Sequence, residues 1–321
     1  MRASFNTITK GEHTGYGQAA KQFQQALTDA GMEWGEQERV IINFCMPPDY
    51  IAHGYNIGYT PWESTEVPKK WLPGLKGVHD LWSTSKWSAK ILGDIAKREA
   101  FVVPHGIDPL WTPKFHSRHD VFTFAHCGEP AIRKGGDILL QAWDTHFKYR
   151  SDCRLIIKAV GHTVARVKDS DGSIVGSAMH YNNCVLVTNV WTRERLLYFY
   201  QDEIDCMVYP TRGEGFGLIP FEAIAAGCPT ILPNGGGTAD FAKYGIPLNK
   251  YMWVHSNDKT QHPGLWMDHN VDELIHHMER AIEKYDQAAE TAYYNSLSLH
   301  NEFNWDSIAK LAMDRIKLVS G

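Results

Sequence analysis

Through the second half of the chain, short apolar runs alternate with segments whose apolar residues recur at helical spacing, the pattern of a parallel sheet covered by helices. VFTFAH (121–126), RLIIKAV (154–160), CVLVTNV (184–190), DCMVYP (205–210), PTIL (229–232) and MWVH (252–255) read as strands. The intervening GDILLQAWDTHF, TRERLLYFYQD, PFEAIAAG and TADFAKYG read as helices, which predicts a doubly wound α/β domain over 119–300.

The first hundred residues are less regular. YGQAAKQFQQALTDAG (16–31) has helical spacing and stops at Gly31, where a left-handed cap fits. RVIINFCMP reads as a strand, VHDLWSTSKWSAKILGD as strand, turn and helix, and the aromatic, Gly- and Pro-rich segment between them as ordered loop with short helix. In AFVVPHGIDPLWTP a strand runs into Pro, Gly and Asp, which places a linker near 108–120 and an amino-terminal domain over 1–112. The closing NWDSIAKLAMDRIKLV is amphipathic at helical period and gives a carboxyl-terminal helix within 301–321.

Composition bounds the chemistry without redirecting it. At 321 residues and 43% apolar content the chain fills two cores of ordinary size. A net charge of -5 argues against a general electrostatic hold on nucleic acid, while leaving room for a local basic pocket. Six cysteines form no Cys-x-x-Cys pair and several lie in apolar runs, which reads as reduced, buried thiols of a cytoplasmic protein. No signal peptide and no apolar run of about 18 residues is visible, so no membrane span is expected. His116 and His119 have metal-like spacing but no third ligand nearby, so no metal is expected either.

Ligands of an open parallel sheet bind at the carboxyl ends of its strands, and three loops there carry chemistry. In CGEPAIRKGGD, Arg133 and Lys134 precede two glycines and a helix start. Adjacent cations suit a diphosphate, Arg forking across its oxygens and Lys supplying a point charge; a solvated charge pair is the plainer alternative. In TRGEGFGLIPFEAIAAGCPTI (211–231), Pro220 fits the first turn of a helix and Gly227 its end, which puts Glu222 in the first turn and Glu214 in the loop ahead. Two carboxylates held apart beside glycine N–H groups can accept hydrogen bonds from several vicinal hydroxyls, about 1.5–3 kcal/mol each. Sugars and riboses fit that description. A helix-dipole role for Glu222 and a surface role for Glu214 would leave the Gly-Phe-Gly between them without a reason. PNGGGTAD (233–240) offers three glycines ahead of a helix capped by Thr238, suited to close approach by an anion. A fourth segment, HTGYGQAA (13–20), is a glycine loop opening a helix, without the full dinucleotide fingerprint.

Together these segments resemble the retaining nucleotide-sugar glycosyltransferases of glycosyltransferase family 4. EGFGLIPFEAIAAGCPTI is similar to that family's paired-glutamate motif, IRKGGDILLQAW to its Arg-Lys-Gly stretch, VYPTRGEGFG to the strand leading in, and VVPHGID to the interdomain segment. YTPWESTEVPKKW followed by LWSTSKWSAKIL resembles a subset of the family, so the resemblance covers nearly the whole chain. It implies a GT-B fold, two Rossmann-like doubly wound domains facing a cleft, here with a shortened amino-terminal domain. Arg133 and Lys134 would hold the donor diphosphate and stabilise charge on the leaving nucleotide, without a required metal. Glu222 would bind the ribose hydroxyls, and Glu214, with the backbone of Gly215, Phe216, Gly217 and Leu218, the donor sugar. Gly15 and Gly17 would close over the phosphates, the loop at Asn189 and Val190 would touch the base, and the terminal helix would cross back to the amino-terminal domain. A UDP- or a GDP-sugar fits equally. Many relatives carry a histidine at the sugar end of the cleft; here Trp62 and Glu63 of TPWES stand in its place, with His53 of IAHGYN an alternative neighbour and His105 shaping the hinge turn.

The expected function is therefore transfer of a sugar from a nucleoside diphosphate sugar to an acceptor hydroxyl with retention of configuration. A glycan, a small molecule or a modified base in nucleic acid would serve as acceptor, the last disfavoured by the acidic balance. Trp62, Trp71, Trp82 and Trp87 suit sugar stacking in type, but core or interface roles account for most of them. The alternative is a non-catalytic nucleotide-sugar-binding module on the same fold. A dinucleotide-dependent oxidoreductase would need a complete glycine fingerprint after an early strand, which is missing.

Overall fold

The computed structural model describes residues 1–7, 15–128, 131–159, 166–168, 174–177 and 182–320. His13 and Thr14 of the amino-terminal glycine loop lie outside the described residues, as do Glu129 and Pro130 of the Arg-Lys loop and Val160.

Two six-stranded parallel sheets organise the molecule. The first contains β1 (Arg2–Thr7), β2 (Glu33–Trp34), β3 (Val40–Phe44), β4 (Tyr55–Tyr59), β5 (Asp80–Ser83) and β6 (Phe101–Val102), in the order β2-β1-β3-β4-β5-β6. The second contains β7 (Phe122–Cys127) and β8 (Cys153–Lys158), then, beyond the separate ribbon of β9 (Arg166–Lys168) and β10 (Ile174–Ser177), β11 (Cys184–Val187), β12 (Cys206–Val208), β13 (Thr230–Pro233) and β14 (Ile246–Leu248). Its order is β11-β8-β7-β12-β13-β14, every pairing parallel. Strand order therefore reverses between β7 and β12, where such sheets open a crevice at their carboxyl ends. Helices cover both faces, so β7 is buried along its whole length, without the alternation of buried and exposed positions of a half-exposed strand.

Local chemistry sets the helix limits. In α1 (Gly15–Asp29), Ala19, Ala20, Phe23, Ala26 and Leu27 form the buried stripe. The short α2 (Leu72–Gly77) precedes α3 (Lys86–Ala96), whose Ser85 cap accepts from the Ser88 N–H and which ends on left-handed Lys97. The second half adds α4 (Gly136–Ala142), α5 (Arg193–Asp202), α6 (Leu218–Ala225), α7 (Val271–Glu283) and α8 (Tyr285–Glu302). Thr192 caps α5 and Asn270 caps α7 through their side chains. The last helix, α9 (Trp305–Ser320), packs Ile308, Ala309, Ala312, Met313 and Ile316 into the first sheet's core, beside Phe23, Phe44 and Tyr59.

Four local expectations are corrected. The aromatic, Gly- and Pro-rich segment is not loop with short helix throughout: its YNIGY forms β4, paired on both sides inside the first sheet. MWVH does not join the second sheet: β15 (Tyr251–His255) pairs antiparallel with β16 (Leu265–His269) in a two-stranded hairpin, and the sixth strand of the sheet is β14. TADFAKYG is not a regular helix but two short 3-10 turns, Gly236–Asp240 and Ala242–Tyr244. Thr238 is no helix cap, because its hydroxyl donates backward to the carbonyls of Pro233 and Gly235 and tightens the loop.

The two sheets turn their carboxyl ends toward each other. Thr84 and Ser85, just after β5, donate to the Gly215 carbonyl at 2.9 and 2.7 Å. A Cβ on Gly213 would lie 2.2 Å from the Glu63 carbonyl oxygen, and one on Gly215 would lie 2.7 Å from the Trp62 nitrogen. Glycine is thus required there by the approach of one half to the other.

Candidate active site

The loops after β7 and β12 meet at the reversal of strand order. Gly135, at φ +74°, turns the chain into α4, and a Cβ there would sit 1.9 Å from the Pro210 carbonyl oxygen. Arg212 rivets this junction from beneath. Its guanidinium donates to both oxygens of Asp137 at 2.6 Å, to the Ile132 carbonyl at 2.6 Å and to Asp268 of β16 at 2.7 Å. With Arg212 consumed by structure, Arg133 and Lys134 are the cations beside Glu214 among the described residues.

Lys134 Nζ lies 2.5 Å from Glu214 Oε1, which also accepts from the Tyr209 hydroxyl at 2.8 Å. Arg133 Nη1 donates to the Gly213 carbonyl at 2.7 Å and stands 3.7 Å from Glu214 Oε1 and 4.0 Å from Glu63 Oε1. Burial pushes the Glu214 carboxyl up, but the charges of Lys134 and Arg133 outweigh it and hold the group below the usual range. Glu214 is therefore an anion between two cations, a hydrogen-bond acceptor and not a proton donor.

Glu222 stands one turn later than the sequence implies. The helix α6 begins at Leu218 after left-handed Gly217, so Glu222 falls in the second turn; Pro220 is in the first, and Gly227 ends the helix at φ +88°. Burial pushes its carboxyl up to about 8, with Arg193 opposing and Asp108 reinforcing the rise. Arg193 Nη1 pairs with Asp108 Oδ2 at 2.7 Å, and Gln22 of α1 donates to the same oxygen at 2.8 Å. Asp108 in the linker thus joins both halves beside Glu222.

The remaining predicted residues divide. Gly15 begins α1 facing α6, a Cβ on it being 3.4 Å from Leu218 Cδ1, and Gly17 follows within the first turn of the same helix. Phe216 buries its ring among Phe221, Phe241, Phe303 and His105, so only its backbone faces the loop. His105 is buried there, its pKa pushed down to about 3 by desolvation. The glycines of PNGGGTAD are turned to the protein: the Gly237 N–H donates to the Glu214 carbonyl at 2.9 Å. Trp62 is buried and donates to the Glu66 carbonyl, a wall and not a stacking platform, whereas Glu63 reaches the cluster. Asn189 and Val190 are exposed beyond the end of β11. His53 is exposed before β4, at the end of the sheet opposite the cleft, one five-residue strand or about 16 Å away.

The sequence reading missed Tyr209, Asp108, Arg193 and His262. Tyr209 directly follows the strand that leads into the glutamate motif and was within reach of that argument. His262 carries no local signal: it sits at the tip of the β15–β16 hairpin, yet its ring stacks on Trp62 at 5.6 Å and 15° and its Nε2 lies 3.8 Å from Glu63 Oε2.

Comparison with known proteins fits this geometry. Among solved structures, the chain is similar to sucrose-phosphate synthase from Thermosynechococcus elongatus, at 15% identity and a TM-score of 0.69 over 99% of this chain and 98% of that one. It is similar to Anabaena HepE in complex with UDP and glucose, at 12% identity and 0.64 over 99% of each chain. TarM matches at 14% identity and 0.62 over 86% of this chain, which spans only 54% of TarM. At such identities these likenesses establish the architecture, a GT-B fold of two Rossmann-like domains. Among curated proteins no sequence match reaches significance. The sequence profile of family 4 glycosyltransferases in conflict systems matches residues 96–311, about two thirds of the length. The chain belongs to this family of glycosyltransferases.

Proposed function

We propose that this protein transfers a sugar from a nucleoside diphosphate sugar to an acceptor hydroxyl, with retention of configuration and without a required metal. The observation that carries the reading is the Lys134–Glu214–Arg133 cluster at the carboxyl ends of β7 and β12, faced by Glu63 from the other half. Arg133 and Lys134 hold the diphosphate. As the bond from the anomeric carbon to the phosphate oxygen breaks, its electron pair passes to the diphosphate, where these two cations stabilise it, while the acceptor oxygen bonds to the anomeric carbon and gives its proton to the departing phosphate oxygen. Glu214 and the backbone of Gly215 to Leu218 hold the donor sugar, and Glu222 accepts from the ribose hydroxyls.

In this reading 1–112 forms the acceptor side, 119–300 the donor side, and the segment from 301 crosses back. Gly15 and Gly17 close over the phosphates, and Asn189 and Val190 border the base. HepE was solved with UDP and glucose, which supports a UDP-sugar here, with a GDP-sugar as the alternative. No helix among the described residues is long and apolar enough to cross a membrane, which suits a cytoplasmic enzyme.

The test is a screen of UDP- and GDP-sugars for binding and slow hydrolysis, with Lys134→Ala and Glu214→Gln as controls. Hydrolysis that both substitutions suppress supports the transferase. Tight binding with no hydrolysis or transfer would instead favour a nucleotide-sugar-binding module, and no binding at all ends both readings.

A further inference from the structure

We propose that His262, carried across the cleft by the β15–β16 hairpin, forms with Glu63 a subsite that reads a hydroxyl of the sugar being transferred. The proposal rests on the donor reading given above and adds to it the residues that discriminate one sugar from another.

The hairpin is anchored at both ends. At its root Arg212 holds Asp268. At its tip Ser64 donates to the Pro263 carbonyl at 2.5 Å, and the Leu265 N–H donates to the Thr65 hydroxyl at 2.8 Å. Gly264, at φ +94°, lets the chain press against this segment, since a Cβ there would lie 2.7 Å from the Glu66 nitrogen. The turn before His262 is equally well built: Asp258 Oδ1 accepts from the N–H groups of Thr260 and Gln261, and its carbonyl accepts from the His262 N–H. The imidazole is then fixed between the rings of Trp62 at 5.6 Å and Trp266 at 5.8 Å. A loop that served only to cover the sheet would not need its histidine oriented in this way.

Spacing identifies the ligand chemistry. Lys134 and Glu214 are in direct contact, but three other polar approaches are not: Arg133 to Glu214 at 3.7 Å, His262 to Glu63 at 3.8 Å, and Arg133 to Glu63 at 4.0 Å. These are too long for hydrogen bonds, and since an oxygen shared by both members of a pair needs about 4.5 Å between them, a ligand hydroxyl enters by parting each pair by less than about 1 Å. The side chains of Glu63 and His262 remain 23% and 21% exposed although they lie between the two halves. Burial lowers the pKa of His262, so near neutral pH the ring offers one donor and one acceptor. Glu63 offers acceptors and Arg133 donors. That mixture matches a hydroxyl, which both gives and takes a hydrogen bond. A second phosphate would be repelled by Glu63 and Glu214.

The experiment measures hydrolysis of UDP-glucose, UDP-galactose, UDP-N-acetylglucosamine and GDP-mannose without acceptor, and binding of free UDP and GDP, for the wild type, His262→Ala, His262→Gln and Glu63→Gln. With the sugar that wild type prefers, His262→Ala lowers kcat/KM by about 10- to 100-fold and flattens the preference among sugars. Free nucleotide binding changes less than twofold, and His262→Gln, which keeps a donor and an acceptor, recovers part of the loss. Deoxy analogues of the preferred sugar identify the hydroxyl, because the one lacking it is hydrolysed equally by wild type and His262→Ala. Unchanged sugar preference in His262→Ala overturns the proposal, and so does a parallel loss of free nucleotide binding, which would mark a structural role. If the wild type itself binds no nucleotide sugar, the donor reading falls as well, and the wild-type arm alone reveals that.

Discussion

Lys134 Nζ and Glu214 Oε1 are 2.5 Å apart, so in the absence of donor the strongest cation–anion contact of the cleft is internal. An incoming diphosphate must draw Lys134 toward itself, and an incoming sugar must offer Glu214 hydroxyls in exchange. The Lys134 charge keeps Glu214 ionised, and the contact fixes both side chains in position, which limits reorganisation when charge develops on the leaving group.

Substitution separates these roles. Lys134→Ala lowers kcat/KM by about 100-fold or more, as loss of a group that stabilises transition-state charge does. Glu214→Gln removes the internal competitor, so UDP raises the melting temperature of this variant more than that of wild type while turnover falls. Melting curves with and without UDP, beside steady-state hydrolysis, give both readings. Equal UDP stabilisation in the two proteins would contradict competition for Lys134.

Glu222 makes stability depend on pH. Its folded pKa, pushed up to about 8, exceeds the ordinary glutamate value of 4.5. The folded state therefore holds the proton more tightly, and its advantage is complete below the unfolded pKa and is lost as pH rises from about 4.5 to about 8. Glu222→Gln, which stays neutral, should melt higher relative to wild type at pH 8.5 than at pH 5. A constant difference between the two proteins across that range would refute the assignment.

Gly213 and Gly215 hold the halves together by having no side chain. Gly213→Ala places a Cβ 2.2 Å from the Glu63 carbonyl oxygen, and Gly215→Ala places one 2.4 Å from Pro61 Cβ, so each forces the first half away from the glutamate loop. Both cores remain intact, because these residues lie between them. Circular dichroism should be unchanged, and turnover should fall much further than nucleotide affinity. Full activity in either variant would show that this approach is not needed.

An ion pair adds to the apolar packing of α9 on the first sheet. Arg315 donates to both oxygens of Asp80 at 2.8 and 2.9 Å, and the Trp82 indole donates to Asp80 Oδ2 at 2.7 Å. Asp80 is only 5% exposed, so Arg315→Ala leaves a buried carboxylate without its cation. Removing one partner of such a pair costs about 3 kcal/mol. Urea unfolding measures the loss, and Arg315→Lys should recover only part of it, since an ammonium cannot bridge both oxygens.

Much of this was legible along the chain, and where it was not, the cause is specific. Five of the six strands of the second sheet were visible because burial on both faces enriches them in apolar residues, as in FTFAH and RLIIK, whereas the three-residue β14 was too short to stand out. The glutamate loop was visible because its glycines and the Pro220 and Gly227 punctuation are local requirements of a strand-to-helix turn. The hairpin was misjudged because MWVH has the composition of a sheet strand, and only its partner, β16, decides that it belongs to a ribbon. Glu222 was placed in the right helix but one turn early, since the helix starts where left-handed Gly217 allows it.

By itself, then, the sequence determined the parallel α/β class, most elements of the second half and the residues Arg133, Lys134, Glu214 and Glu222, all of which follow from periodicity, caps and short-range spacing. Only the tertiary structure decided which groups share a space. Glu63 meets Arg133 across 70 positions and His262 across 199, and Asp108 meets Glu222 across 114. Contacts at such separations leave no local pattern, because they are fixed by how two sheets and a hairpin close on one another. The same closure sets the pKa of Glu222: its neighbours in sequence are apolar, and the opposing charges of Asp108 and Arg193 arrive from the linker and from α5.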